Sequence, residues 1–273
     1  MFLLRLLTFT RAPHWRRFLP EHYMTRFIKR PADQLHYLPA SEYHPANTYF
    51  HFSFANYYDP ENIHYGALRV VNDDDVRPHS GFGQHPHRDM EIVSYLLHGK
   101  LTHWDSVTAE EEVLERGHIQ AITAGTGLIH AELNRHDEWT RFMQIWILPP
   151  AQGLEIRYGS AKPAASEREN RLLHLVSQLH GGLDTPLYLN QDANFHVTEL
   201  TRADAEVVFE LAEGRQAYVS CMEGSVELEG MTSLVERDSL EVTGPATLRM
   251  KAPSGHGHVI IIEMQRMDER SHG

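Results

Sequence analysis

The chain has 273 residues, enough for one large or two modest domains, each with a buried core. Hydrophobic residues make up 41% and charged residues 23%, the balance of an ordinary globular protein, which excludes wholesale disorder. A formal charge of −12 disfavours direct nucleic-acid binding, because no basic run beyond the N-terminus offsets repulsion from a phosphate backbone.

Met1 to Tyr23 differs from everything after it, with Arg5, Arg11, Arg16 and Arg17 set against one acid, Glu21, behind a short apolar front from Phe2 to Leu7. The apolar stretch is too short for a signal-peptide core or for a membrane span of about 20 residues. Residues 1–30 are read as an N-terminal extension without function, with folded structure opening near Met24; an organelle transit peptide is the alternative. No membrane association is expected. The lone Cys221 is read as a small buried apolar residue; it excludes an internal disulfide and fits a reducing, cytoplasmic setting.

From about Tyr49 onward, short apolar runs broken by Gly, Asn, Asp and Pro predict many short strands, hence an all-β sandwich or barrel. Ile92 to Leu97, the turn His98-Gly99-Lys100 and Leu101 to Trp104 read as a hairpin. Glu112 to Leu114 and Ile119 to Ile122 flank a turn at Arg116-Gly117-His118. Phe142 to Leu148 is a strong strand stopped by Pro149-Pro150, which closes a first domain over 31–150. Residues 151–186 read as a connection, with a short helix around Ser166 to Leu179. The second half, 187–273, repeats the texture: Ala217 to Cys221, a turn at Glu223-Gly224, Ser225 to Leu228, and finally Val259 to Glu263. The shared rhythm predicts two barrels of similar architecture.

One constellation carries chemistry. His85-Pro86-His87 places two imidazoles at i and i+2, and in an extended segment both point to one face. His130-Ala131-Glu132 repeats the arrangement with an imidazole and a carboxylate, behind the Gly-rich turn Ala124 to Gly127. Two such pairs on neighbouring strands would supply four ligands to one divalent transition metal, leaving one or two positions open. With 20 histidines in the chain, such pairs also arise by chance. His256-Gly257-His258 is one, and it is set aside because no second His/Glu pair accompanies it.

The segments Gly83 to Val93, His103-Trp104-Asp105-Ser106 and Thr123 to Glu132 together resemble the pirin family of bicupins. Phe52 to Pro60 and Gln144 to Ile147 are similar to its bacterial branch. The resemblance is specific from about Tyr49 to Pro149 and looser beyond. It implies a double cupin fold of two jelly-roll β-barrels, with a metal in the first barrel, none in the second, and quercetin 2,3-dioxygenase activity in several members. On that pattern the metal ligands fall on His85, His87, His130 and Glu132, in agreement with the spacing. Cupins in general take their acid from the segment after His-x-His, where Glu91 stands; the pirin pattern takes Glu132, leaving Glu91 as a supporting or structural group.

The resemblance therefore implies a metal-dependent dioxygenase acting on quercetin-like flavonols with dioxygen. Iron(II) is placed first among the ions, with nickel, manganese, copper, cobalt and zinc as alternatives. Glu132 is the candidate base for the flavonol 3-hydroxyl. Phe54, Tyr58, Phe82 and Trp146 are candidates for an apolar substrate slot, although most aromatics in a barrel fill its core. His103 and Asp105 either support the ligands or belong to a surface hairpin. A metal-dependent regulator that binds a transcription factor or a metabolic enzyme, and a catalytically silent metal-binding cupin, are the competing readings. A monomer is the expected state.

Overall fold

A computed structural model describes residues 25–267, so the reading of Met1 to Tyr23 falls outside the described residues. The chain forms a double cupin. In the first half a seven-stranded antiparallel sheet runs in the order β12 (Arg157–Ala161), β9 (Ile119–Thr123), β6 (Glu91–His98), β11 (Thr140–Ile147), β4 (Leu68–Val76), β3 (Ala46–Phe50), β2 (His36–Leu38). A four-stranded sheet accompanies it in the order β5 (Ser80–His87), β10 (Leu128–Asn134), β7 (Lys100–Asp105), β8 (Glu111–Glu115).

Alternation along β6 and β11 explains how one sheet serves two cores. Val93, Tyr95 and Leu97, with Met143, Ile145 and Ile147, join Val176, Phe195, Tyr218, Ile260 and Ile262 of the second half in one apolar layer. The opposite faces turn into the first barrel, where Leu96 and Phe142 meet Leu101 and Leu114 from the smaller sheet. Ile92 meets Ile122 and Leu128, with Trp146 packed beside them. A strand buried on both faces reads as a continuous apolar run rather than an alternating one, as β6 does. Full burial of each such side chain stabilises the fold by roughly 1.5–3 kcal/mol.

The larger sheet of the second half has the spine β1 (Arg26–Arg30), β19 (Ser239–Thr243), β17 (Arg215–Leu228), β21 (Gly257–Gln265), β15 (Ala193–Leu200), β13 (Leu173–Gln178), β14 (Leu187–Leu189). Its barrel core gathers Val219, Cys221, Val226, Leu240, Leu248 and Ile261. Cys221 is buried and free, as expected. Arg26–Arg30, set aside with the extension, forms the edge strand of this sheet.

Several local expectations are corrected. The run through Gly99 is not a hairpin: β6 pairs with β9 and β11, whereas β7 pairs with β8 and β10, so the chain turns a corner between sheets. Gly99 has φ +72°, and a Cβ there would lie 2.4 Å from the Trp139 carbonyl oxygen. The expected turn at Glu223-Gly224 is a bulge inside the 14-residue strand β17, where the register slips between Cys221 and Glu223. The helix expected over Ser166 to Leu179 shrinks to Ala165–Arg168, because the following residues pair as β13 with β15. Arg157–Ala161 pairs with β9, so the connecting stretch lends a strand to each sheet.

Candidate metal centre

Register brings the two candidate ligand pairs together. β5 and β10 pair so that His85 faces His130 and His87 faces Leu128. Pro86 is tolerated because β5 is the edge strand of its sheet. Between Phe82 and His85, β5 carries one more residue than β10 carries between Glu132 and His130, and this bulge re-aims His85. The His85 Nδ1 lies 2.7 Å from the Gly83 carbonyl oxygen, which favours the tautomer with Nδ1–H donating and a free lone pair on Nε2.

The three imidazoles converge. Nε2 of His85 and Nε2 of His130 are 3.0 Å apart, and ligand atoms of His85, His87 and His130 all lie within 4.8 Å of one another. Metal–imidazole bonds of 2.0–2.1 Å put neighbouring nitrogens of one coordination shell about 2.9–3.4 Å apart, so the His85–His130 spacing fits one edge of such a shell. Burial, reinforced by the neighbouring histidines, holds the His87 imidazole down at about 4 and the His130 imidazole at about 3. Both are therefore neutral at pH 7, the form that ligates metals.

Glu132 is buried and stands apart from the tightest group, joining instead a second cluster with His130 and His103. Its Oε1 accepts hydrogen bonds from Ser94 Oγ at 3.0 Å and Gln120 Nε2 at 3.0 Å, and its Oε2 accepts one from Gln144 Nε2 at 2.6 Å. These donors project into the barrel from β6, β9 and β11; Ser94 and Gln144 stand at inward positions flanked by apolar ones, Ile92 and Leu96 around Ser94 and Phe142 and Trp146 around Gln144. His103 and Asp105 are buried behind the ligand strand, facing Glu132 and His130 across β7 and β10, and pair with each other at 3.0 Å. His103 also stacks on Tyr158 at 4.7 Å. They are not surface hairpin residues.

His85, His87 and Glu132 line a cavity of about 330 Å³ walled by Phe50, Phe54, Phe82 and Trp146. Trp146 meets His87 edge-on at 4.9 Å and Phe54 at 5.2 Å. Three of the four aromatic candidates thus line the cavity, and Tyr58 does not. The tight turn that bonds Phe54 to Tyr57, with Ala55 at φ 50°, folds Tyr57 onto His36 and leaves Tyr58 73% exposed.

Glu91 lies elsewhere. Asp89, at φ 48°, ends the β5 path before β6 begins, so strand parity does not carry from His87 to Glu91. The buried carboxylate instead clasps the second half, accepting bonds from the backbone N–H groups of Asn190 and Gln191 at 2.7 and 2.9 Å. His256 and His258 do not converge. His256 is exposed, while buried His258 pairs with Glu223 at 2.8 Å and contacts the Tyr95 hydroxyl at 3.0 Å. That pairing supplies the acidic neighbour the sequence did not reveal, but Arg116 and Arg168 neutralise the acids around it.

Residues 33–147 match the family model described as Pirin, and residues 175–264 match the model of the quercetinase C-terminal cupin domain. A quercetin 2,3-dioxygenase of Escherichia coli K12 is 34% identical over 204 residues, covering 74% of this chain and 85% of that protein. This chain belongs to the pirin family. A pirin-like protein of Caulobacter vibrioides is 37% identical over 202 residues, covering 74% of this chain and 85% of its own length. Among solved structures, the bacterial pirin YhhW from Escherichia coli in complex with nickel(II) superposes with a TM-score of 0.77 at 28% identity. That match covers 89% of this chain and all of the other. No helix among the described residues is long and apolar enough to cross a membrane.

Proposed function

We propose that this pirin is a metal-dependent dioxygenase that cleaves quercetin-like flavonols, with one divalent ion held by His85, His87, His130 and Glu132. The observation that carries the reading is the convergence of three imidazoles, with a buried carboxylate beside them, at an aromatic-walled cavity. Quercetin dioxygenase relatives and the nickel complex of a structural neighbour support it. Iron(II) is the ion we favour among the several first-row metals that an N/O donor set of this kind accepts. When bound, the ion supplies a Lewis-acidic anchor for a substrate oxygen and a redox centre for dioxygen.

The chain's own residues perform the remaining work. Trp146, Phe54 and Phe82 hold a flat polyphenol and keep water from its reacting edge. Glu132 accepts the proton of the flavonol 3-hydroxyl on Oε2, the oxygen with a single protein hydrogen bond. Ser94, Gln120 and Gln144 fix the carboxylate in place, so that proton transfer needs little reorganisation. His103 and Asp105 back the ligand strand.

Metal analysis combined with oxygen uptake on quercetin tests this. Expected is one ion per chain and oxygen consumption with release of carbon monoxide, both lost in His87→Ala, and turnover lost in Glu132→Ala. A metal-loaded protein that turns over none of a panel of flavonols overturns the reading.

A further inference from the structure

The cavity has a polar strip that metal binding and proton transfer leave unused. In the larger sheet, Ser94, Gln144 and Asn72 form one cross-strand row on β6, β11 and β4. The next row on the same face runs through Leu96, Phe142, Asp74 and Thr48. Ser94 and Gln144 are committed to Glu132. Asn72 stands one strand beyond Gln144, about 4.8 Å further along the wall. It is only 4% exposed, it lines the cavity, and its amide oxygen has no hydrogen-bond partner among the described residues.

Asp74 follows two residues later on the same face and also lines the cavity. Its neighbours behave differently: Asp73 points to the other face, into Arg141 and Arg237, where its charge is compensated. Asp74 has no cationic partner among the described residues. It accepts a short hydrogen bond on Oδ1 from the Thr48 hydroxyl, which is itself 2.9 Å from His44 Nε2 at the half-buried edge of the cavity. Since Thr48 donates to Asp74, it accepts from His44, and the orientation of the three side chains is fixed. The other oxygen of Asp74 has no protein partner among the described residues. Burial, with Asp73 and Glu132 adding to it, pushes this carboxyl up to about 8, so near neutrality it carries a proton to donate. An unpaired buried acceptor thus lies next to a buried donor on a wall otherwise made of Phe50, Phe82 and Trp146. A ligand hydroxyl would satisfy both at once, donating to one and accepting from the other.

We propose that Asn72 and Asp74 form a specificity site that reads a phenolic hydroxyl of the substrate, on a part of the molecule remote from its metal-directed oxygens. The inference rests on the flavonol reading above and deepens it. Substrates bearing ring hydroxyls are selected over bare flavonols, and the polar strip, rather than the aromatic walls, discriminates among them.

The test is anaerobic binding of 3-hydroxyflavone, 3,5,7-trihydroxyflavone and quercetin to metal-loaded protein, followed by absorbance, so that no turnover is needed. The wild type is expected to bind at least one of the hydroxylated ligands about tenfold or more tightly than 3-hydroxyflavone. Asp74→Leu collapses that ratio to within about threefold while leaving 3-hydroxyflavone affinity unchanged. Asp74→Asn preserves the ratio, because its amide donates from the same place, and a purely structural role would not separate the two variants in this way. Asn72→Leu carries the same expectation as Asp74→Leu and serves if that variant fails to fold. Equal weakening of all three ligands in the leucine variants, or an undiminished ratio, overturns this proposal and leaves the dioxygenase reading intact. No binding of any flavonol by the metal-loaded wild type overturns both.

Discussion

The Nε2 atoms of His85 and His130 lie 3.0 Å apart because β5 and β10 pair these two residues directly. Two imidazole lone pairs at that distance repel unless a proton or an ion lies between them. An N–H of one neutral ring can bridge that gap, but an ion takes both lone pairs at once and leaves His85 its Nδ1–H for the Gly83 carbonyl.

Metal should therefore act as a strong stabiliser. At a hundredfold excess over its dissociation constant, an ion that binds only the folded chain adds about 2.7 kcal/mol, or roughly 5–10 °C in melting temperature for a chain of this size. Thermal scans with iron(II) or nickel(II) against chelator are expected to show this shift in the wild type and to lose it in His130→Ala.

The amide cradle of Glu132 gives a second expectation. Gln144→Leu removes the only donor to Oε2 among the described residues while leaving the carboxylate in place. Supporting residues of this kind typically matter 10–100-fold, so kcat/KM on quercetin should fall by about that factor with metal content nearly unchanged. Glu132→Gln should retain the fold and lose turnover to below roughly 1% of wild type.

Asp74 predicts an unusual pH dependence of stability. Its pKa is about 8 in the folded chain against an ordinary value of 3.8, so between those limits the unfolded chain releases a proton that the folded chain keeps. The native state is therefore progressively disfavoured by this group as pH rises from about 4 to about 8. Asp74→Asn removes that penalty. In metal-free protein its melting temperature relative to wild type should be nearly unchanged at pH 4 and should gain at least roughly 5 °C by pH 8. A constant offset across the range contradicts the expectation.

Glu91 should prove structural. It receives two backbone N–H groups and the Asn190 amide from the second half, together with the Thr123 hydroxyl, on a fully buried carboxylate. Glu91→Ala removes the shared acceptor of these four donors, leaving the two buried backbone N–H groups unmatched, and is expected to cost roughly 2–4 kcal/mol in denaturant titration, with metal stoichiometry unaffected.

Much of this architecture was legible from residue spacing. The i, i+2 period placed His85 with His87 and His130 with Glu132, and turn chemistry marked most strand ends. What spacing did not carry was which sheet receives each strand. A corner such as Gly99 and a hairpin turn share the same glycine signature, and only long-range pairing distinguishes them. Asp74 was hidden for a related reason. In the run Asn72-Asp73-Asp74-Asp75 the alternation sends Asn72 and Asp74 inward and Asp73 outward, and an acidic triplet looks solvated until its strand is known to be buried on both faces. The cradle of Glu132 had a fainter signal: single polar residues interrupting apolar inward positions, as in Ile92-x-Ser94-x-Leu96 and Phe142-x-Gln144-x-Trp146.

The edge strand Arg26–Arg30 has a consequence for biosynthesis. Arg30 bonds to Glu241, 211 residues later, so β1 stays unpaired until the residues of β19 have been made. The first barrel contains its own pairings within residues 36–161 and can form while synthesis continues. The second must wait, and until it closes, the unpaired edge of β19 is exposed to other chains.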